Sequence, residues 1–291
     1  MAGRRTGDKR SSQGRGGERR GGPNRRPGGS GRGRPGPGAG RGGRGRGGSV
    51  GPGWIIGVHA VASLLRETPK RIHAVHVWAG QGQHLISLAK DAGITVRNDQ
   101  PDEFAGDNHL AQGVAARVAP FPYTDLTALL QRPTAGGGLL IALDSITDTR
   151  NLGAILRSAG FFAADGVLMP RDRAAAVTPV TERIARGGAA VVPVAQVTNL
   201  SRALAQVADA GWTIVGTALD DVDGELWQEP LDGPICLVLG AEDKGMRRLV
   251  RARCDRVVSL TPLAPVQSLN VASFATLAMS EVRRQQRSGG S

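Results

Sequence analysis

Apolar residues recur at regular spacing only beyond residue 53 of this 291-residue chain. Four apolar side chains share one face of a predicted helix over residues 57–67: Val58, Val61, Ala62 and Leu65. Three short apolar runs predict strands, at residues 72–79, 93–96 and 112–118. A second helix is expected near His84 to Ala92. The pattern therefore predicts a small α/β domain over residues 54–118.

From residue 139, apolar strands alternate with amphipathic helices. Six strands are predicted, at residues 139–144, 166–170, 191–197, 212–219, 235–240 and 256–263. A final helix is expected from Asn270 to about Gln286. Such repeated units predict an α/β domain over residues 139–287, with a parallel sheet covered by helices on both faces. Ligands of such sheets bind beyond the carboxyl ends of the strands.

Three further segments lie outside these domains. Residues 119–138 contain prolines and few apolar residues, which predicts a linker with one short helix. Residues 288–291 predict a disordered end. Residues 1–53 hold 14 of the 37 basic residues and two of the 25 acidic ones, so this segment carries the whole net charge of +12.

The amino-terminal segment is rich in Arg-Gly pairs such as Arg32-Gly33 and has almost no apolar residue before Val50. It cannot bury enough apolar surface to offset the entropy of ordering, which predicts a disordered tail. Such a tail attracts RNA through counterion release. A solvated tail that only aids solubility is the alternative.

The sequence lacks the patterns of exported, membrane-spanning and metal-binding chains. No apolar run approaches the roughly 18 residues of a membrane helix, and the amino terminus lacks the apolar core of a secretory signal. Cys236 and Cys254 have neither disulfide-framework nor zinc-ligand spacing. The five histidines also lack metal-ligand spacing: His59, His73, His76, His84 and His109. A cytoplasmic protein with no membrane partner and no metal is expected.

Two segments that follow predicted strand ends carry polar residues that core packing does not require. In residues 144–160 an apolar helix stripe leaves Asn151 and Arg157 free to face a ligand, although a solvated or ion-paired arginine is the ordinary alternative. In residues 260–282, Ser268 and Asn270 stand at the start of the last helix. Helix capping alone explains those two residue types.

A third segment, residues 237–249, joins a strand end at Gly240 to a turn in which Gly245 is expected to open a helix. The glycine spacing is similar to a phosphate-binding P-loop, but Met246 and Arg247 replace the required lysine and hydroxyl residue. A nucleoside triphosphatase is therefore excluded. Glu242 in this turn either caps the following helix or orients a substrate. No Rossmann glycine fingerprint follows any strand, which argues against the commoner methyltransferase and dehydrogenase folds.

Taken in order, these segments resemble three motifs of the SpoU family in the SPOUT superfamily of RNA methyltransferases. The motifs are N-L-G-A-I-L-R-S-A (151–159), L-G-A-E-D-K-G-M (239–246) and S-L-N-V (268–271). GVHAVASLL and QGVAARV in the first domain resemble the RNA-binding domain of the subgroup that methylates a guanosine in bacterial 23S ribosomal RNA. The resemblance covers about residues 55–287.

The resemblance implies methylation of a ribose 2'-hydroxyl in RNA, with S-adenosylmethionine as the methyl donor. It also implies a homodimer and a carboxyl-terminal trefoil knot that holds the cofactor, an exception to the rule against threaded chains. The implied cofactor-binding residues are Gly240, Gly245, Leu260 and Leu269. The implied catalytic residues are Asn151, Arg157, Glu242, Ser268 and Asn270.

The implied chemistry asks the protein mainly to align an activated methyl group with a hydroxyl and to help remove a proton. A guanidinium with a pKa above about 12 rarely gives up its proton. Arg157 is therefore expected to grip a phosphate and stabilise the developing alkoxide, while a phosphate oxygen or water takes the proton.

One departure from the family pattern leaves alternatives open. The family usually reads I-P-M-x-G where this chain reads L-T-P-L-A at residues 260–264, followed by Pro265. The alternatives are a transfer-RNA methyltransferase and a non-enzymatic RNA-binding ribosome-assembly factor. The aromatic content of 3% favours recognition through RNA shape and phosphates. The few candidates for base stacking near the first domain are Trp54, Trp78, Phe121 and Tyr123.

Overall fold

The computed structural model describes residues 53–78, 82–104, 113–134, 137–265 and 268–288, all within one compact unit. The predicted tail lies outside these ranges apart from Gly53, and the predicted disordered end lies outside them apart from Ser288. Within the described ranges, no helix combines the length and apolar character that crossing a bilayer requires.

The first domain is a four-stranded sheet with helices on one face. Its elements are β1 (Gly53–Ile56), α1 (Val58–Glu67), β2 (Ile72–Val77), α2 (His84–Asp91), β3 (Thr95–Arg97) and β4 (Val114–Val118). Strand β4 lies between β1 and β2 and is antiparallel to both, whereas β3 pairs in parallel with β2. The predicted α/β character is confirmed. Strand β1 directly follows the glycine-rich segment and was not predicted.

Strand β3 begins later than the predicted run 93–96 because a glycine turn ends helix α2. Gly93 has a φ of +69°, a conformation that glycine adopts readily. The backbone N–H of Ile94 then donates to the carbonyl of Ala89 at 2.8 Å, which closes the helix. Residues 93 and 94 therefore belong to the helix terminus, and pairing starts at Thr95.

The second domain is built on a seven-stranded sheet. Its strands are β5 (Leu139–Asp144), β6 (Gly166–Pro170), β7 (Val194–Val197), β8 (Thr213–Thr217), β9 (Gly224–Glu225), β10 (Ile235–Gly240) and β11 (Arg256–Ser259). They lie in the order β7-β6-β5-β10-β8-β11-β9, and every neighbouring pair is parallel. The predicted parallel sheet is confirmed. The trefoil knot stays a prediction.

Helices cover both faces of this sheet. They are α3 (Leu126–Leu130), α4 (Thr149–Phe161), α5 (Pro179–Ala185), α6 (Gly188–Val191), α7 (Leu200–Asp209), α8 (Arg248–Arg251) and α9 (Val271–Ser288). Alternate residues of one strand enter different cores: Ile141 packs with α4 and α9, whereas Leu140 packs with α3 and α7. The two-sided burial explains why these strands are continuously apolar.

The predicted linker packs against the second sheet. The N–H of Thr124 donates to the carbonyl of Val194 at 2.9 Å, and Leu126 and Leu129 of α3 are buried in the core around Leu140. Asp125 caps α3, because its carboxylate accepts from the N–H of Thr127 at 2.8 Å. The short helix expected in this segment is present at residues 126–130.

A buried ion pair joins the two domains. Arg71 follows helix α1, and its guanidinium donates to both carboxylate oxygens of Glu182 in α5 at 2.8 and 3.0 Å. Both side chains are less than 10% exposed. Arg71 also donates to the carbonyl of Ala119 and lies over the ring of Phe121. The pair fixes the first domain against the helical layer of the second.

Helix α8 is shorter than predicted, and Gly245 does not open it. The N–H of Gly245 donates to the carbonyl of Ala241 at 2.8 Å, so the chain closes a turn before any helix starts. Gly245 adopts a φ of +60°, and α8 begins only at Arg248. The predicted strands 212–219 and 256–263 also end early, because their last residues leave the sheet to line a cavity.

Candidate active site

A cavity of about 820 Å³ opens at the carboxyl ends of β8, β10 and β11. Its wall consists of residues 217–220, 240–246, 260–264 and 268–269, together with the start of α9. All four residues expected to bind a cofactor lie on this wall: Gly240, Gly245, Leu260 and Leu269. The cavity stands where parallel sheets bind ligands, so strand topology places these residues together.

The turn after β10 is packed tightly against its own strand. A Cβ atom at Gly240 would lie 2.4 Å from the carbonyl carbon of Gly245 and 2.5 Å from the nitrogen of Met246. Both are backbone atoms, which cannot move aside as a flexible side chain does. Only glycine fits at residue 240 while the turn keeps this shape.

A buried carboxylate holds the far end of the same turn. Asp144, at the end of β5, is fully buried, and its two oxygens accept from the N–H of Arg247 at 2.7 Å and from its Nε at 2.6 Å. The contact between Asp144 and Arg247 was not predicted from the sequence. Asp144 is a charged residue at the end of the apolar run LLIALD, and this position could have indicated the contact. A carboxylate that is buried with such a strand is rarely without a partner.

The central feature of the cavity rim is a hydrogen-bonded cluster of Asn151, Glu242 and Asn270. Oε1 of Glu242 accepts from Nδ2 of Asn151 at 3.1 Å and from Nδ2 of Asn270 at 2.7 Å. Nδ2 of Asn270 also donates to Oδ1 of Asn151 at 2.9 Å. Three segments that are far apart in the chain therefore meet at one point.

Helix α9 orients two members of this cluster. Oδ1 of Asn270 accepts from the N–H groups of Ala272 and Ser273, which is the geometry of a helix cap. Oε1 of Glu242 accepts from the N–H of Val271 at 3.0 Å. Glu242 thus contacts the amino terminus of α9 and does not cap α8, the helix that follows it. The positive end of an 18-residue helix favours a carboxylate there.

Ser268 lines the cavity, whereas Arg157 does not. Arg157 lies on the exposed surface of α4, six residues after Asn151. At about 100° per residue, six residues turn a helix by roughly 240° beyond one full turn, so the two side chains leave different sides of α4. Of the five residues expected to be catalytic, Asn151, Glu242 and Asn270 are in contact, Ser268 is on the same cavity wall, and Arg157 is separate.

One sulfur-containing side chain lines the cavity, and a cysteine packs behind it. Met246 lines the cavity, and the Sγ atom of Cys254 lies 3.9 Å from its sulfur. Burial raises the pKa of the Cys254 thiol to about 12. The thiol is therefore protonated near neutral pH and serves packing rather than nucleophilic chemistry. Among the residues described, no group of three or more His, Cys, Asp and Glu side chains could hold a metal ion.

Comparison with known proteins identifies two family matches. Residues 138–280 match the SpoU rRNA Methylase family, and residues 54–124 match the family described as RNA 2'-O ribose methyltransferase substrate binding. The two matches correspond to the two domains of the fold, and the segment that holds α3 lies between them.

Individual relatives give the same assignment. A 23S rRNA (guanosine-2'-O-)-methyltransferase, RlmB, from Pseudomonas syringae is 40% identical over 241 residues, which is 79% of this chain and 95% of the relative. An uncharacterized tRNA/rRNA methyltransferase from Mycolicibacterium vanbaalenii is 44% identical over 211 residues, 70% of this chain and 66% of the relative. The crystal structure of the SpoU methyltransferase AviRb from Streptomyces viridochromogenes, in complex with the cofactor AdoMet, has a TM-score of 0.70 and 24% identity. The match covers 82% of this chain and 92% of that chain, and at this identity it shows the shared fold.

Proposed function

Because the chain belongs to the SpoU rRNA methylase family, we propose that it transfers a methyl group from S-adenosylmethionine to the ribose 2'-hydroxyl of a guanosine in 23S ribosomal RNA. The observation that carries the proposal is the Asn151–Glu242–Asn270 cluster at the rim of the cavity. A cytoplasmic location follows from a ribosomal substrate.

The cavity suits a nucleoside cofactor in size and in chemistry. Its volume of about 820 Å³ is that of an ordinary small-molecule site. Three of its apolar side chains are at least half exposed, Leu219, Trp227 and Leu263, and an adenine ring would cover such surface. Backbone groups of Gly240 and Leu260 would hold polar edges of the cofactor. When bound, S-adenosylmethionine supplies a methyl group already activated by a sulfonium centre.

The residues at the cavity rim orient the ribose. Asn151 and Asn270 carry amide groups beside Glu242, and Ser268 adds a hydroxyl on the same wall. Since these amides are fixed by one another and by helix α9, they need little reorganisation when RNA binds. The 2'-hydroxyl oxygen gains the methyl group, and its proton passes to a phosphate oxygen or to water.

Arg157 is proposed to grip a phosphate of the bound RNA outside the cavity, since it leaves a different side of α4 from Asn151. It is exposed and does not line the cavity, which fits contact with a large substrate rather than with a buried cofactor. We expect Arg157→Ala to lower methyl transfer about 100-fold with unchanged cofactor affinity, because bidentate phosphate contacts are lost. Full turnover by Arg157→Lys would show that bidentate recognition is unnecessary.

The experiment that tests the function follows methyl transfer from labelled S-adenosylmethionine to 23S ribosomal RNA and to bulk transfer RNA. The wild type and Arg157→Ala are compared, and alkali-resistant 2'-O-methyl sites are mapped. A single 2'-O-methyl site in ribosomal RNA that is absent with Arg157→Ala would support the enzyme class, the substrate and the role of Arg157 together. Labelling of transfer RNA would indicate a transfer-RNA substrate. The absence of both RNA labelling and cofactor binding would favour the non-enzymatic assembly factor.

A second prediction concerns the turn that would hold the cofactor. We expect Gly240→Ala to weaken S-adenosylmethionine binding at least tenfold, because an added Cβ collides with backbone atoms of Gly245 and Met246. Calorimetry measures the affinity, and Gly233→Ala is the matched control, since a Cβ there meets nothing within 4 Å. Equal affinity in both variants would place the cofactor elsewhere.

The homodimer is part of the proposal. Phe161 at the end of α4 is 83% exposed, and Leu277 on the neighbouring helix α9 is 40% exposed. Exposed apolar side chains on two packed helices favour association with another surface. Light scattering of the purified chain measures its mass, and a monomeric mass at micromolar concentration would argue against the dimer.

A further inference from the structure

A second cavity, of about 490 Å³, lies on the first domain. It is on the sheet face opposite α1 and α2, because strand residues alternate between faces. Ile55, Val75 and Ala116 point into the core beneath the helices, so their neighbours in the chain point to the other side. That side holds the cavity, and it is covered in part by residues 99–102.

The strand register places an arginine beside an aromatic ring twice on this face. Trp54 of β1 is directly opposite Arg117 of β4, and His76 of β2 is opposite Arg97 of β3. The rings of Trp54 and His76 are themselves in contact, with centroids 5.2 Å apart. All four side chains line the cavity. His76 is buried and Trp54 is half-buried against Phe104, so packing accounts for the two rings but not for the two exposed cations beside them.

The charges in this cavity leave both arginines available. Among the described residues, Arg97 and Arg117 are exposed and have no ion pair or side-chain hydrogen bond. Asp99 is already engaged, because its carboxylate lies 3.0 Å from Nδ1 of His76. Asp102 is an exposed carboxylate on the same wall. The cavity therefore offers two free cations, aromatic surface and one hydrogen-bond acceptor.

We propose that this cavity binds an unpaired nucleotide of the RNA substrate, a site that rests on the proposed function and lies apart from the reacting ribose. Arg97 and Arg117 hold backbone phosphates, and the base packs against Trp54. The Asp102 carboxylate accepts a hydrogen bond from an N–H group of the base. Aromatic surface flanked by arginines is how open sheets bind single-stranded RNA.

The test measures binding of the full chain to a labelled RNA hairpin with an unpaired loop, as a function of salt concentration. We expect Arg97→Gln/Arg117→Gln to weaken binding about tenfold and to reduce the slope of log K against log salt by about 1.4, since each lost single-strand phosphate contact removes roughly 0.7. The matched control is Arg66→Gln/Lys90→Gln, which removes the same charge from exposed residues on the helical side of this domain. The control is expected to keep the wild-type slope.

A second measurement tests the base. With 2-aminopurine in the hairpin loop, we expect wild-type protein to quench its fluorescence and Trp54→Leu to quench it much less, because the indole is lost. Thermal unfolding of Trp54→Leu checks that the domain remains folded. A blunt RNA duplex without a loop is expected to bind the wild type and the Arg97/Arg117 variant equally.

The outcomes separate this site from the proposed function. The RNA site is overturned, even if methylation proceeds, when the Arg97/Arg117 variant keeps the wild-type salt slope. It is also overturned when the control variant loses as much of the slope. A cavity that binds a protein partner would give the first of these results. A wild type that binds the hairpin through these arginines but binds no S-adenosylmethionine overturns the proposed function and leaves the RNA site standing.

Discussion

Glu242→Ala is expected to lower the rate of methyl transfer about 100-fold while the chain stays folded. The change removes the single oxygen that accepts from Asn151, Asn270 and the N–H of Val271. Without it the two amides lose their fixed orientation, and a misplacement of about 1 Å at a reacting centre is enough for a loss of this size. The fold survives because Glu242 and Asn270 are exposed, so water replaces the lost acceptor.

Single-turnover methylation and thermal unfolding measure these two effects. Glu242→Gln keeps an acceptor oxygen and is expected to fall between alanine and the wild type. Asp209→Ala is the control, since it removes an exposed carboxylate at the end of α7 that does not line the cavity. A Glu242→Ala rate equal to that of the Asp209 control would remove the cluster from the mechanism.

Breaking the buried ion pair between the domains is expected to give the largest loss of stability. Arg71→Met leaves the carboxylate of Glu182 buried without its partner, which costs about 3–5 kcal/mol of unfolding free energy. For a folded region of this size the melting temperature should fall by roughly 10 °C. Calorimetry or circular dichroism measures this shift.

Two comparisons test the cause of that loss. Arg71→Met/Glu182→Leu is expected to recover most of the stability, because no unpaired charge remains. Arg150→Met removes an arginine whose ion pair with Asp148 is at the surface, and it should leave the melting temperature unchanged. Equal small shifts for Arg71→Met and Arg150→Met would show that the domain junction does not depend on the pair.

The order and type of the main elements can be predicted from the hydrophobic pattern of the chain. Strands β5, β6 and β10 begin and end where their apolar runs do, since a strand buried on both faces must be apolar throughout. Helix ends were predicted less accurately. The turn at Gly245 was predicted to open a helix, because glycine and the following basic residues fit both a turn and a helix start. The motif resemblance also predicted four cofactor-binding residues, and all four line one cavity.

Contacts between the polar residues could not be predicted from the sequence. Asn151 and Glu242 are 91 residues apart in the chain, Asn151 and Asn270 are 119 apart, and Arg71 and Glu182 are 111 apart. Local hydrophobic periodicity carries no information about contacts at such separations. Strand order and register likewise decide which residue pairs with Asp144 and how arginines and rings are paired on the first sheet. They also decide that Arg157 lies away from the cavity. Those are fixed by packing of the whole chain.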